Sequence, residues 1–188
     1  MRKLVFLAVL LSALVLCPPA SCESFRFDSI QRGQREVGLF VGHGLSHRLP
    51  ASTKVDISGV VAKVEYGRYA SSHSQYGYEL SAWQMQGQPH GLTLIALLRY
   101  RHHLLASGAN SLGFDFGMGL AQLGSKVHGM ATKGNFAEQA GLTFQHATGK
   151  TTALTLEYRY CHISNAGIKT PNVGINSSVF ALGYTWFK

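Results

Sequence analysis

From residue 35 onward the chain repeats one pattern: short runs in which large apolar or aromatic side chains alternate with glycine, small or polar ones, broken by clusters of Gly, Ser, Pro and Asn. Successive side chains of a strand point to opposite faces, so period-two alternation bounded by turn residues reads as β-structure. Leu112, Phe114, Phe116, Met118 and Leu120 fall on one face, with Gly113, Asp115, Gly117 and Gly119 on the other. Phe180, Leu182, Tyr184 and Trp186 do the same against Val179, Ala181, Gly183 and Thr185. After a polar lead over 23–34, the pattern predicts eight strands near 35–46, 55–70, 75–86, 91–106, 110–124, 134–147, 150–163 and 174–187.

A soluble sandwich or barrel would turn its large apolar row inward. Here the opposite row is too small and polar to complete such a core, and the large side chains would face water if the barrel were not in lipid. The expectation is therefore all-β: an eight-stranded antiparallel transmembrane barrel, apolar outside and small or polar inside. The N-terminus agrees, since Arg2 and Lys3, an apolar run from Leu4 to Leu16 and small residues up to Cys22 predict a secretory signal peptide over 1–22. Residues 23–188 then form a single outer-membrane domain. Pro19-Ala20-Ser21-Cys22 is a poor lipoprotein site because proline occupies its first position, so lipidation at Cys22 is the weaker reading. With Cys17 and Cys22 in or beside the signal, Cys161 is left alone and no disulfide framework is expected.

Charge adds a partner. Of 17 Lys and Arg, two go with the signal, leaving a surplus of six over the 9 Asp and Glu. No basic run suggests nucleic acid, and the surplus suits an anionic membrane surface. With the N-terminus in the periplasm, the connections 47–54, 87–90, 125–133 and 164–173 are external, and 71–74, 107–109 and 148–149 are the internal turns. The external ones hold Arg48, Lys54, Lys126, Lys133 and Lys169 and no acid, which suits phosphate-bearing lipid in the outer leaflet.

The candidate chemistry sits where the seventh strand ends. Alternation along Leu154 to Ser164 sends Tyr158, Tyr160, His162 and Ser164 to the lipid-facing side, and Glu157 and Arg159 inward. Two residues apart on a strand, β-carbons lie about 6 to 7 Å from each other, within reach for a serine hydroxyl that needs a neighbouring base to attack an ester. His-x-Ser alone is a common pairing. The longer run His162-Ile163-Ser164-Asn165-Ala166-Gly167, followed by Pro171-Asn172-Val173-Gly174-Ile175-Asn176, resembles the lipid A 3-O-deacylase (PagL-type, acyloxyacyl hydrolase) family. Gly134-Asn135-Phe136 and Leu156-Glu157-Tyr158-Arg159-Tyr160 extend the likeness upstream.

The resemblance implies an eight-stranded barrel that removes the ester-linked 3-hydroxyacyl chain of lipid A, without metal or other cofactor. It implies Ser164 as nucleophile and His162 as general base. Asn165, with the backbone N–H groups of Ala166 and Gly167, is implied as the oxyanion site. The family's third triad member is acidic, at the position of Asn176. Counting by twos from Trp186 puts Asn176 on the same face as His162, so its place fits while its charge does not. An amide oxygen can still orient an imidazole, as Cys-His-Asn sets do.

Two other classes stay open: a non-catalytic structural or lipid-binding barrel, and an outer-membrane phospholipase. A homodimer is left open as well. His102 and His103 point to opposite faces and His43 with His47 straddles a strand end, so neither pair makes a chelate. Glu157, Arg159, Arg99, Arg101, Glu79 and Asp115 are expected to pack against one another inside the barrel.

Overall fold

The computed structural model describes residues 24–47, 57–87 and 90–188. The expected signal over 1–22, including Cys22, and the loop residues Arg48 and Lys54 lie outside the described residues. Eight antiparallel strands close into one barrel: β1 (Arg35–Ser46), β2 (Ile57–Tyr69), β3 (Ser74–Gly87), β4 (Gly91–Ser107), β5 (Asn110–Gln122), β6 (Gly134–Gly149), β7 (Thr152–Ser164) and β8 (Ile175–Phe187). Each strand pairs with its sequence neighbours, and β8 returns to β1, with Glu36 opposite Phe187 and Ser46 opposite Ser177. Closure removes every edge and leaves no backbone polar group of the wall to face lipid unpaired.

The alternation read from the sequence is the alternation of the wall. On β4, Leu94, Leu98 and Tyr100 are exposed, while Thr93, Arg99 and Arg101 are buried. The expected strand over 110–124 stops at Gln122, although Leu123 keeps the inward parity of the strand and its N–H still donates to the Lys133 carbonyl at 2.8 Å. β6 runs on to Gly149 through an irregularity after Ala147, which moves the expected 148–149 turn to Lys150 and Thr151.

The lumen is filled in three layers. At the end where β7 finishes, Trp83, Met85, Leu123, Met130, Ile163 and Ile175 belong to one apolar cluster. This layer is larger than the small and polar inner row expected from sequence, because the inward row turns apolar toward this end on several strands at once. Below it, four cations (Lys63, Arg99, Arg101 and Arg159) face five carboxylates (Glu36, Glu65, Glu79, Asp115 and Glu157). Arg101 is the hub: it reaches Glu36 at 2.9 Å, Asp115 at 2.8 Å and Glu157 at 3.0 Å. At the termini end the segment 24–34, expected as a polar lead, contains a 3-10 helix over Phe27–Ser29 and plugs the barrel. Phe25 stacks on Phe187 at 4.0 Å, and Phe27 meets the same ring edge-on at 5.6 Å.

Candidate active site

The site lies on the outside of the wall, at the end where β1, β3, β5 and β7 finish. Cross-strand register builds it. His162 on β7 stands opposite Asn176 on β8 and opposite Glu138 on β6, while Ser164 stands opposite Phe136. Directly opposed residues of an antiparallel pair carry β-carbons about 5 Å apart, so both neighbours of His162 are fixed by strand pairing.

The Asn176 side chain meets the ring. Its Oδ1 lies 2.7 Å from His162 Nδ1, and an amide oxygen can only accept, so Nδ1 is the donor and Nε2 is left unengaged by Asn176. Although Asn176 belongs to the outer row, it is only 4% exposed. Tyr160, next along the row, donates its hydroxyl to the same Oδ1 at 2.7 Å. Beyond His162, Gly174 has φ +68, and a β-carbon there would stand 2.9 Å from His162 Cε1. Glycine at this position both permits the turn into β8 and leaves room for the ring.

His162, Ser164 and Ala166 line one cleft of about 660 Å³, whose other walls include Phe136, Leu120, Met118 and Leu98. The floor is apolar and the polar groups gather at one end, an arrangement that seats a hydrocarbon chain with an ester beside the hydroxyl. The cleft shares Leu80, Ala96, Leu120 and Phe136 with a larger hollow of about 1040 Å³, where Ala62, Ala82 and Ala96 are small.

Residues 59–185 match the family described as Lipid A 3-O-deacylase (PagL). The chain belongs to this family. No curated protein sequence matches it. Among solved structures, the Neisserial surface protein A (NspA) shares 11% identity at a TM-score of 0.63, covering 82% of this chain and 99% of its own. The outer membrane enzyme PagL shares 20% identity at 0.54, with coverage of 80% and 98%. OprG from Pseudomonas aeruginosa shares 11% at 0.54, with coverage of 89% and 99%. These likenesses establish the fold as that of an outer-membrane barrel. Family membership adds a hydrolase of the lipid A deacylase type.

Relative to that family's expected site, the loop after β7 holds a finding of its own. The Asn165 N–H donates to Asn172 Oδ1 at 3.1 Å, its Nδ2 donates to the Lys169 carbonyl at 2.8 Å, and its Oδ1 accepts from Gly167 N–H at 3.0 Å. Two of the three expected oxyanion donors, Asn165 and Gly167, are thus occupied in holding the loop. The Ala166 N–H is the one turned toward Ser164, donating to Oγ at 3.4 Å. Ala166 has φ +53 and Gly167 φ +77; a left-handed alanine costs about 1 kcal/mol, and it aims this N–H back at the serine. The loop is fastened to the β5–β6 connection by Val173 N–H to Gly129 O at 2.9 Å and Ala131 N–H to Pro171 O at 2.8 Å.

Three deacylase-site neighbours escaped the sequence reading or were undervalued by it. Glu138 is exposed and, among the described residues, is the one carboxylate on the outer wall of the strands. Only register across β6 and β7 could have found it. His47, at the end of β1, places Nε2 2.6 Å from Ser178 Oγ and its ring over Tyr160 at 6.3 Å. Tyr160, placed from sequence only on the lipid-facing side, is engaged with Asn176. Lys126, Lys133 and Lys169 are exposed on loops at the same end of the barrel, with Lys126 beside His90 and His128 around a hollow of about 710 Å³.

Proposed function

We propose that this protein is a lipid A 3-O-deacylase, a serine esterase that removes one ester-linked 3-hydroxyacyl chain from lipopolysaccharide in the outer leaflet. The observation that carries the reading is the His162 Nδ1 to Asn176 Oδ1 contact of 2.7 Å, which leaves Nε2 as a base in the apolar cleft that Ser164 also lines. A lipid-facing wall has no structural need for that pair, since polar groups turned toward hydrocarbon are costly.

The chemistry follows from the groups present. Ser164 Oγ attacks the ester carbonyl and its proton passes to His162 Nε2. The oxyanion forms near the Ala166 N–H, with Asn165 holding the loop. The intermediate collapses: the sugar oxygen leaves with the proton from His162, and the acyl group stays on Ser164. Water then enters from the headgroup region and attacks the acyl carbonyl while giving a proton to His162; His162 returns that proton to Ser164 Oγ as the fatty acid leaves. Asn176 holds the imidazole without supplying an anion, and Glu138 stands opposite His162 on the neighbouring strand. With the site at the cell-surface end, Lys126, Lys133 and Lys169 would meet lipid phosphates.

Expression of the full chain in a Gram-negative outer membrane, followed by lipid A mass spectrometry, tests this. Loss of one hydroxyacyl chain by the wild type, abolished in Ser164→Ala, is the expected result. Unmodified lipid A beside a folded wild-type barrel would overturn it in favour of a phospholipase or a lipid-binding barrel without catalysis.

A further inference from the structure

We infer that Tyr160 is a positioning residue: its phenol fixes which end of the Asn176 amide faces His162, and thereby selects the imidazole tautomer that can act as a base. The inference rests on the deacylase reading of His162 and Ser164 and concerns how a neutral third member serves there.

A carboxylate offers an imidazole two equal oxygens. An amide has an acceptor, Oδ1, and a donor, Nδ2, within the same outline. With Oδ1 toward the ring, Nδ1 holds the proton and Nε2 is free to take one from serine. With Nδ2 toward the ring, Nδ1 must accept, the proton sits on Nε2, and no base faces Ser164. A triad whose histidine is held in the wrong tautomer keeps its shape and loses its rate. The ring cannot choose between these states, because either tautomer satisfies one end of the amide. A third group has to choose.

Tyr160 is placed to do so. Two donors converge on one atom: Tyr160 OH and His162 Nδ1 each lie 2.7 Å from Asn176 Oδ1. A flipped amide would set Nδ2 against the phenol, which would have to accept while its own proton turned toward the acyl wall. A phenol donates better than it accepts, and an unpaired hydroxyl proton facing hydrocarbon is penalised. Asn176 is 4% exposed, so water has little access to compensate. The Tyr160 ring is supported in turn. His47 lies over it with an interplanar angle of 10°, and His47 is held by Ser178, which Tyr158 OH also meets at 3.0 Å. The His47 N–H binds the Asn176 carbonyl at 2.7 Å, so the backbone of Asn176 is fixed while Tyr160 fixes the side chain.

The decisive experiment compares Tyr160→Phe in two backgrounds, using the full chain folded in detergent with lipid A as substrate. Beside Asn176, the phenylalanine variant should lose about threefold to tenfold in kcat with little change in KM. Beside Asn176→Asp the loss should shrink below about twofold, because a carboxylate has no wrong end. Equal losses in both backgrounds would overturn the inference and make Tyr160 a substrate contact or a packing residue. Nitrogen-15 NMR of the His162 ring reads the same point without turnover: one Nδ1-protonated tautomer in the wild type, and a mixture in Tyr160→Phe. An unchanged tautomer in a folded variant would overturn the inference as well. A tautomer switch in a barrel that deacylates nothing would uphold the positioning role and overturn the deacylase reading instead.

Discussion

β7 has two faces that differ in kind. Its inner face carries Glu157 and Arg159, fully buried and bonded to one another at 2.9 Å and to partners on other strands. Its outer face carries Tyr160, His162 and Ser164, neutral or weakly basic groups partly open to their surroundings. In a soluble enzyme, the cluster of carboxylates and arginines would draw attention first. Here it is buried between an apolar layer and an aromatic plug, so it holds the cylinder together. The proposed chemistry belongs to the face with fewer charges, because that face meets lipid.

Substitutions can break or sharpen this division. The largest effect is expected from His162→Gln, which should lower kcat by a factor on the order of 10³ or more while leaving urea unfolding unchanged. On the inner face the pattern should reverse. Arg101→Met strands Glu36, Asp115 and Glu157 without their shared partner, and removing one side of such a buried set costs about 3–5 kcal/mol. Unfolding followed by the heat-dependent gel shift of the barrel should register that loss, with specific activity preserved in the folded fraction. If Arg101→Met abolished turnover in a barrel of normal stability, the division would be wrong.

Smaller effects test the outer face more finely. Gly174→Ala places a methyl 2.9 Å from His162 Cε1 at a left-handed position, which should cost about 1 kcal/mol of stability and roughly tenfold or more in kcat through displacement of the ring. Glu138→Gln should lower kcat by no more than about fivefold, in line with the value of up to about 1 kcal/mol for an exposed charge pair. A loss near that of His162→Gln would promote Glu138 from a neighbouring charge to the acid that Asn176 does not provide.

The strands were legible because two-residue periodicity survives on every one of them, and most observed ends fall within two residues of the expected positions. That His162, Ser164 and Asn176 share one face was legible for the same reason: parity alone decides which residues do. What parity cannot give is partnership between strands. Glu138 stands opposite His162, and His47 reaches Ser178, through register, and register depends on the lengths of several hairpins at once. The plug was missed because Phe25, Phe27 and Ile30 follow no period, their burial being decided by the open barrel mouth they fill. Asn165 could be placed next to Ser164, yet its engagement with Lys169 and Asn172 depends on how the loop folds back.

The seam of the cylinder runs directly behind the site. Asn176 stands at the start of the last strand, and its carbonyl is held by His47, just past the end of the first. The His47 contacts behind the imidazole, on the Asn176 carbonyl and over the Tyr160 ring, are therefore made only when the two ends of the strand sequence meet. On the proposed reading, a chain still in transit, with β8 not yet sealed to β1, lacks that backing and should turn over esters more slowly than the closed barrel. Appearance of deacylation during insertion would then act as a clock for the final closure of the barrel.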